Sequence, residues 1–565
     1  MNALLLVTAL FTVSPHFASP NPTIPVVTIA PVEISVNINQ GEILSGERAF
    51  KVSVSADDPV TKVEFYVGGD LRDNDTSTPY EFKLDTLAEP DGDLKIKFSA
   101  YTSQGTSGTK EFTIKVDNGV GLGAPNHIKR GLDFLSDSKF DDAITQGRIA
   151  LKADDKANGA RVVLARAYFG KNVLDQAQKY AEDAIAQDPN YIDALEILSA
   201  INLRHAFRVV NTGGDRNETL TTIREAIKSA VLNRKKSLDV TADLLSSQIP
   251  INPIAAGDAA IKAARYSLAI QLIRPAYEKD QRREDLADRL AFAQMRSGRW
   301  SEALQTLDNL RKFGQLGAYS NALEGVLFCR VNNDISSDNA IKEALLAESD
   351  NLGVRTAQAY IALKRNRVAV LARLSSDLTK DASQKSEVSF FASALANRLK
   401  QFSEGRRYFE RAVLAEPANY DMYIEQGNQS IAITQLAKME PKDLDYQYDS
   451  ARSMYEAALA ARPESADALT GLSIIALFKK NAADAIKYAQ AATSAGPYNA
   501  GAYYALAGAY NIARGTTAQA AAQAAIKKAG VLDRHNLEGR ELPNAAAVWR
   551  YLNTDGRDPI LSAPK

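Results

Sequence analysis

Four histidines, one cysteine and three closely spaced aspartates are the residues here that could ligate a metal or move a proton. His16, His127, His205 and His535 lie far apart, and none has a second metal ligand at the spacing a zinc site uses. His205, in a helical stretch, reads as a surface or capping residue rather than a base. Asp70, Asp73 and Asp75 lack the glycine and the distal glutamate of a calcium loop, so a solvated turn is expected there. Cys329 has no disulfide partner and follows Val326, Leu327 and Phe328, the setting of a buried, inert thiol. No nucleophile elbow, phosphate-binding loop, zinc-protease helix motif or dinucleotide fingerprint occurs. No catalytic, cofactor-binding or metal residue is therefore expected, and the chain is not read as an enzyme. With 67 Lys and Arg against 68 Asp and Glu, there is no basic footprint to neutralise phosphates, so nucleic acid is not an expected partner. The short run Arg234-Lys235-Lys236 reads as a solvated helix end.

A binding or structural role then needs elements to carry it, and 565 residues exceed one compact core. The apolar stretch Ala3–Val13 is too short to span a bilayer but long enough for the core of a signal peptide, here 1–18. No cysteine lies near it, so no lipid anchor is expected. Pro15, Pro20, Pro22, Pro25 and Pro31 make 19–31 an extended linker. The expected location is secreted, periplasmic or in the cell envelope, with no transmembrane helix in the mature chain.

From residue 32 to 118 the pattern has period two. Val32–Ile38, Phe50–Val54, Val63–Val67, Leu94–Phe98 and Phe112–Val116 alternate apolar and polar residues, with turn signals at Asn39-Gln40-Gly41, Asp57-Asp58-Pro59, Gly68-Gly69-Asp70, Pro90–Asp93 and Gly105–Gly108. Such strands predict a small antiparallel sandwich. Through Val60–Gly69, Ser77–Phe82 and Asp91-Gly92 the segment resembles the bacterial Ig-like domains of surface and secreted proteins. It departs from them at Thr102, which follows Tyr101 where the family usually has Asp, so no ion or ligand role is carried over. The resemblance implies a spacer or adhesion module.

Past the glycine-rich hinge Asn118–Pro125 the period becomes helical. Four turns align: Asp188–Leu195, Glu416–Tyr423, Arg462–Leu469 and Gly496–Tyr503, each with a proline that ends one helix just before the next begins. Small residues recur 34 apart, at Ala143 and Ala177, Ala269 and Ala303, Ala451 and Ala485. Paired helices approach closely only where side chains are small. Over about residues 124 to 530 the chain resembles the tetratricopeptide repeat family. The expected fold class is mainly α: a right-handed α–α superhelical solenoid of about 11 repeats, several degenerate, over 124–533, after the all-β sandwich. A gap between Ala177 and Ala269 is assigned to a degenerate repeat near Ala226, with longer loops including Asn211–Asp215. Weak markers are placed at Ala340 and Ala369, and a second insertion at Lys438–Asp445. Residues 534–565 are expected to form a capping helix at 544–553 and a mobile tail from Thr554.

In this family the first helix of each pair lines a concave groove. The matching positions are Arg166, Arg204, Phe292, Arg296, Phe390, Phe391, Arg398, Tyr504 and Asn511, of types enriched at binding hot spots. The family's clamp for chaperone carboxylates is absent, since its positions hold Ile128, Leu132, Val162 and Arg166. These readings imply a non-catalytic scaffold for protein or peptide partners, without cofactor. The alternative is a cell-wall or carbohydrate-binding module on a repeat stalk, with Tyr66, Tyr80 and Tyr101 as candidate ligand-stacking rings on the sandwich.

Overall fold

A computed structural model describes residues 31–210, 216–436, 439–533, 544–553 and 559–564. The expected signal peptide, linker residues 19–30 and the Asn211–Asp215 insertion lie outside the described residues, as do His16 and His535. The chain divides into two units, one ending at Ala124 and the other beginning at Pro125.

In the first unit, strands β1 (Glu33–Val36), β2 (Ile43–Leu44), β3 (Glu47–Ser55), β4 (Val60–Val67), β5 (Asp70–Asp75), β6 (Tyr80–Asp85), β7 (Gly92–Thr102) and β8 (Ser107–Val116) form two sheets. Their orders are β1-β3-β6 and β2-β8-β7-β4-β5. Alternation turns Phe50, Phe65, Phe82 and Phe98 inward, where Phe65 stacks on Phe98 at 4.9 Å and meets Phe50 and Phe82 at 5.6 Å. Asn118 closes one end of the core, accepting from Thr86 Oγ1 at 2.8 Å and donating to Asp91 Oδ1 at 3.1 Å. Asp70, Asp73 and Asp75 are in a strand, not a turn: β5 pairs with β4 as the sheet's edge. An edge strand with both faces wet needs no alternation, so its sequence carries no strand signal.

The second unit is a run of helix pairs. The first five are α1 (Ala124–Ser136) with α2 (Phe140–Ala153), α3 (Asn158–Gly170) with α4 (Leu174–Gln187), α5 (Ile192–Val210) with α6 (Arg216–Ser246), α7 (Pro253–Lys262) with α8 (Tyr266–Lys279), and α9 (Glu284–Arg296) with α10 (Trp300–Arg311). Then follow α11 (Ala318–Arg330) with α12 (Asp334–Ala347), α13 (Leu352–Lys364) with α14 (Val368–Ala382), and α15 (Ser386–Arg398) with α16 (Phe402–Ala415). The last three are α17 (Tyr420–Thr434) with α18 (Pro441–Ala461), α19 (Ala466–Phe478) with α20 (Ala482–Ala495), and α21 (Ala500–Ala513) with α22 (Thr516–Leu532). A further helix is α23 (Ala545–Asn553). The described residues thus hold eleven pairs. The excess length after Ala177 is carried by helix: α5 has 19 residues and α6 has 31, against 13 and 14 for α3 and α4. The second insertion likewise lengthens α18 to 21 residues.

Steric need explains the period. Besides the alanines of the even helices, the odd helices carry Gly131, Ala165 and Ser199, then Gly257, Ala291, Gly325, Ala359, Ser393 and Gly427, then Ser473 and Ala507, 34 apart within each run. A Cβ on Gly131 would lie 2.6 Å from Val163, and one on Gly257 2.6 Å from Ile273. The even register continues from Ala303 through Ser337, Leu371 and Gly405 rather than through Ala340 and Ala369. Ser337 Oγ donates to Gly325 O at 2.8 Å, and Ser393 Oγ to Gly405 O at 2.9 Å, so hydroxyls pin the close crossings. Between helices of a pair the chain turns through a left-handed residue: Asn172, Ala264, Gly298, Asn332, Asn366 and Lys400 have φ between +52° and +78°. The amide of the next residue donates back across the turn, as Arg299 N does to Gln294 O at 2.8 Å.

Tyr455 shows how tight this packing is. Its fully buried ring lies between α17 and α19, where a Cβ on Gly427 would come to 2.7 Å and one on Gly471 to 2.4 Å. Its hydroxyl donates to Asn428 Oδ1 at 2.7 Å, which fixes the ring. Gly427→Ala is expected to destabilise the solenoid by about 1–3 kcal/mol through overpacking, although alanine favours helix by about 1 kcal/mol. A lowered denaturant midpoint for the solenoid transition is the readout; an unchanged or raised midpoint contradicts the packing argument.

Candidate functional site: the occupied inner layer of the solenoid

Successive odd helices touch one another from α7 through α21, whereas each even helix packs chiefly on odd neighbours. The odd helices therefore form the inner layer. Its curvature brings distant repeats together, since α6 packs against α18. Arg234 on α6 forks onto Glu416, 182 residues away, with Nε and Nη2 each 2.9 Å from a carboxylate oxygen, and its Nη1 reaches Glu196 at 2.5 Å. Arg234 is therefore part of a seam, not of a solvated helix end, while its neighbour Lys235 pairs with Asp239 on the same helix. Local sequence carries no sign of a partner so far along the chain.

Arg296, at the end of α9, is the hub of this seam. Its guanidinium donates to Asp421 Oδ2 at 2.7 Å, to Tyr266 Oη at 3.3 Å, to Tyr420 Oη and to the carbonyl of Pro559. Burial opposes its charge, but Asp421, Tyr266 and Tyr420 outweigh that and hold its pKa above the usual value. Arg462 closes the cluster, donating to Tyr420 Oη at 3.0 Å and to Arg296 O at 2.9 Å.

The inner layer is also occupied. Helix α23 packs on α19 and α21, burying Val548, Tyr551 and Leu552, with Tyr551 edge-on to Tyr504 at 4.9 Å. The segment 559–564 continues along the layer, and its Ile560 and Leu561 are 5% and 4% exposed. Tyr319 Oη donates to Ser562 O at 2.8 Å, and Ser562 N donates to Thr356 Oγ1 at 3.1 Å. The part of the expected mobile tail that is described is thus fixed, because its apolar pair is buried and its backbone is hydrogen-bonded. Helices α19 and α21 are the odd helices of the last two pairs, so α23 covers the inner layer at the end of the array.

The candidate groove residues separate into two sets. Phe292, Phe390 and Phe391 are buried in the core: Phe390 and Phe391 meet edge to face at 5.3 Å, and Phe292 packs on Tyr266, whereas Tyr504 is buried beneath Tyr551 of the occupying helix α23. They offer no open face, because these inner helices are covered on nearly all sides. Arg296 is buried in the seam. Nearer the surface, Arg166 pairs with Asp193 at 2.7 Å, Arg204 lies 4.1 Å over the ring of Phe169, Arg398 donates to Asn366 at 2.7 Å, and Asn511 is exposed. Sequence reasoning missed Tyr319 and Thr356, whose contacts depend on the fold-back. The remaining histidines do not converge on the inner layer: His127 Nδ1 pairs with Gln146 Oε1 at 2.8 Å, and His205 is half-buried on α5. Cys329 is buried, and burial raises its thiol pKa.

Beside Tyr319, burial holds the Asp288 carboxyl at a pKa of about 7, against the hydrogen bond from Ser320 and with Glu284, Arg289 and Asp285 nearby. Ser320 Oγ donates to Asp288 Oδ1 at 2.5 Å and lies 3.0 Å from Glu284 Oε1. In the unfolded chain this carboxyl titrates near 3.9. The folded state therefore holds an extra proton between about pH 4 and 7, and stability falls as pH rises through that window. Asp288→Asn keeps an oxygen that accepts from Ser320 and loses the titration. Its solenoid is expected to gain stability over the native chain by up to about 1.4 kcal/mol per pH unit across the window, with a constant difference above pH 7. Chemical denaturation at pH 5 and pH 8 measures this; an equal difference at both values contradicts it.

Residues 25–116 match the family model of the bacterial Ig domain, and residues 128–192 and 447–500 match that of the tetratricopeptide repeat. The chain is a tetratricopeptide-type helical solenoid preceded by a bacterial Ig domain. No curated protein matches its sequence. Among solved structures, yeast Tom70 aligns over 73% of this chain and 96% of its own, at 15% identity and TM-score 0.32. The fibronectin(III)-like modules of Clostridium thermocellum CbhA align over 15% of this chain and 97% of theirs, at 18% identity and TM-score 0.14. No described helix is long and apolar enough to cross a membrane.

Proposed function

We propose that this protein is a non-catalytic, extracytoplasmic scaffold whose inner helical layer binds protein or peptide partners, with the Ig domain as a spacer. The observation that carries the reading is that this layer holds a segment that is neither helix nor strand by side-chain hydrogen bonds to its backbone. The location rests on the apolar stretch Ala3–Val13 and on the bacterial Ig domain. Arg166 and Arg204, on α3 and α5, are the proposed partner contacts of the early repeats.

The carbohydrate reading has less support. Tyr80 is a core residue. Tyr66 and Tyr101 are half-buried, with Lys97 4.1 Å from one ring and Lys62 4.8 Å from the other. Glu64, accepting from Lys62 and Tyr66 at 2.6 Å each, holds the group together. Capture from secreted or envelope extract by residues 119–565, compared with residues 28–118, decides between the two. Retention of one defined protein by the solenoid, weakened in an Arg166→Glu, Arg204→Glu variant, supports the scaffold. Retention of polysaccharide by the sandwich alone sinks it.

A further inference from the structure

We propose that segment 559–564 is a resident, displaceable ligand of the solenoid, and that the site on α9, α11 and α13 takes an extended peptide with two adjacent branched aliphatic residues. The first half stands on the contacts alone; the partner class rests on the scaffold reading above. Pro559, Ile560, Leu561 and Ser562 are buried, yet none of the four belongs to a helix or a strand. Their backbone is read by side chains from three successive inner helices: Arg296 and Tyr319 donate to the carbonyls of Pro559 and Ser562, and Thr356 accepts from the Ser562 amide. Thr356 has its own hydroxyl proton committed to Leu352 O at 2.8 Å, which leaves its oxygen free to accept that amide. Backbone contacts fix register while the apolar pair fills the space between helices, which is how a groove binds a strand-like peptide.

The resident segment is an imperfect occupant. Ser562 Oγ is buried and has no hydrogen-bond partner, so a competitor with alanine there avoids a desolvation cost. An intramolecular ligand with such a defect excludes weak binders by its high effective concentration and yields to better ones.

The test uses the full-length chain and a fluorescent, end-capped peptide spanning residues 559–564. In Ile560→Asp, Leu561→Asp the resident segment is expected to leave, and in Ser562→Pro it loses the amide bond to Thr356 without any change in the repeats. Both variants should bind the peptide at least tenfold more tightly than the native chain does. Adding Tyr319→Phe and Thr356→Val should remove that gain, and a peptide with alanine at the Ser562 position should bind at least as tightly. Equal binding to native and released chains, or no binding to a released chain that melts like the native one, overturns the proposal. If the peptide binds as expected while no form captures a partner from extract, the site stands and the scaffold reading fails.

Discussion

Arg296→Ala is expected to destabilise the solenoid by about 3–5 kcal/mol, the cost of breaking a buried ion pair by removing one partner. The side chain is 4% exposed, and its partner Asp421 is 15% exposed. One guanidinium here serves a carboxylate, two tyrosine hydroxyls and a peptide carbonyl. A lysine cannot fork to that many acceptors, so Arg296→Lys should recover only a minor part of the loss. Because α9 meets α17 through this residue, the seam should loosen as well. Small-angle scattering should report a larger radius of gyration for the alanine variant under native conditions, along with a lower unfolding midpoint. Unchanged size and midpoint together would mean that Arg234–Glu416 and Arg462 hold the seam unaided.

Phe65→Ala should have an effect of similar size confined to the other unit. Its ring is fully buried among Phe50, Phe82 and Phe98, and truncating such a ring costs about 3–5 kcal/mol. A sandwich of this size has few other large core groups to compensate. Calorimetry of the full chain should show the sandwich transition shifted down or lost while the solenoid transition keeps its midpoint. Loss of both transitions would show that the two units do not unfold independently.

The solenoid was legible because its requirement is local and repeated. Close helix crossings need small residues, and these return every 34 positions. Following alanine alone misplaces the register after Ala303, since the need is for small volume, which Ser337 and Gly405 meet although Leu371 between them does not. The groove was less legible. In α9 every residue from Leu286 to Arg296 is buried, so periodicity cannot separate a partner-facing side from a core-facing one. For the same reason Phe390 and Phe391 match groove positions in sequence although both are buried. Strand β5 left no pattern because its side chains face water on the outer edge. Glu416 and Asp421 look like ordinary surface acids beside a Pro-containing turn, and only the return of the superhelix gives them arginine partners.

That return changes how the array should fold. A repeat protein with contacts only between neighbours gains and loses structure unit by unit, and its stability is nearly a sum over units. Here the Arg234–Glu416 bridge joins residues 182 apart, and the Tyr266–Tyr420 hydroxyl pair joins residues 154 apart. A bond across that distance forms only when every repeat between is in place, so the repeats from α6 to α18 are coupled like the staves of a hooped barrel. Deleting one whole repeat from that stretch, harmless in an open array, would leave the hoop unable to meet.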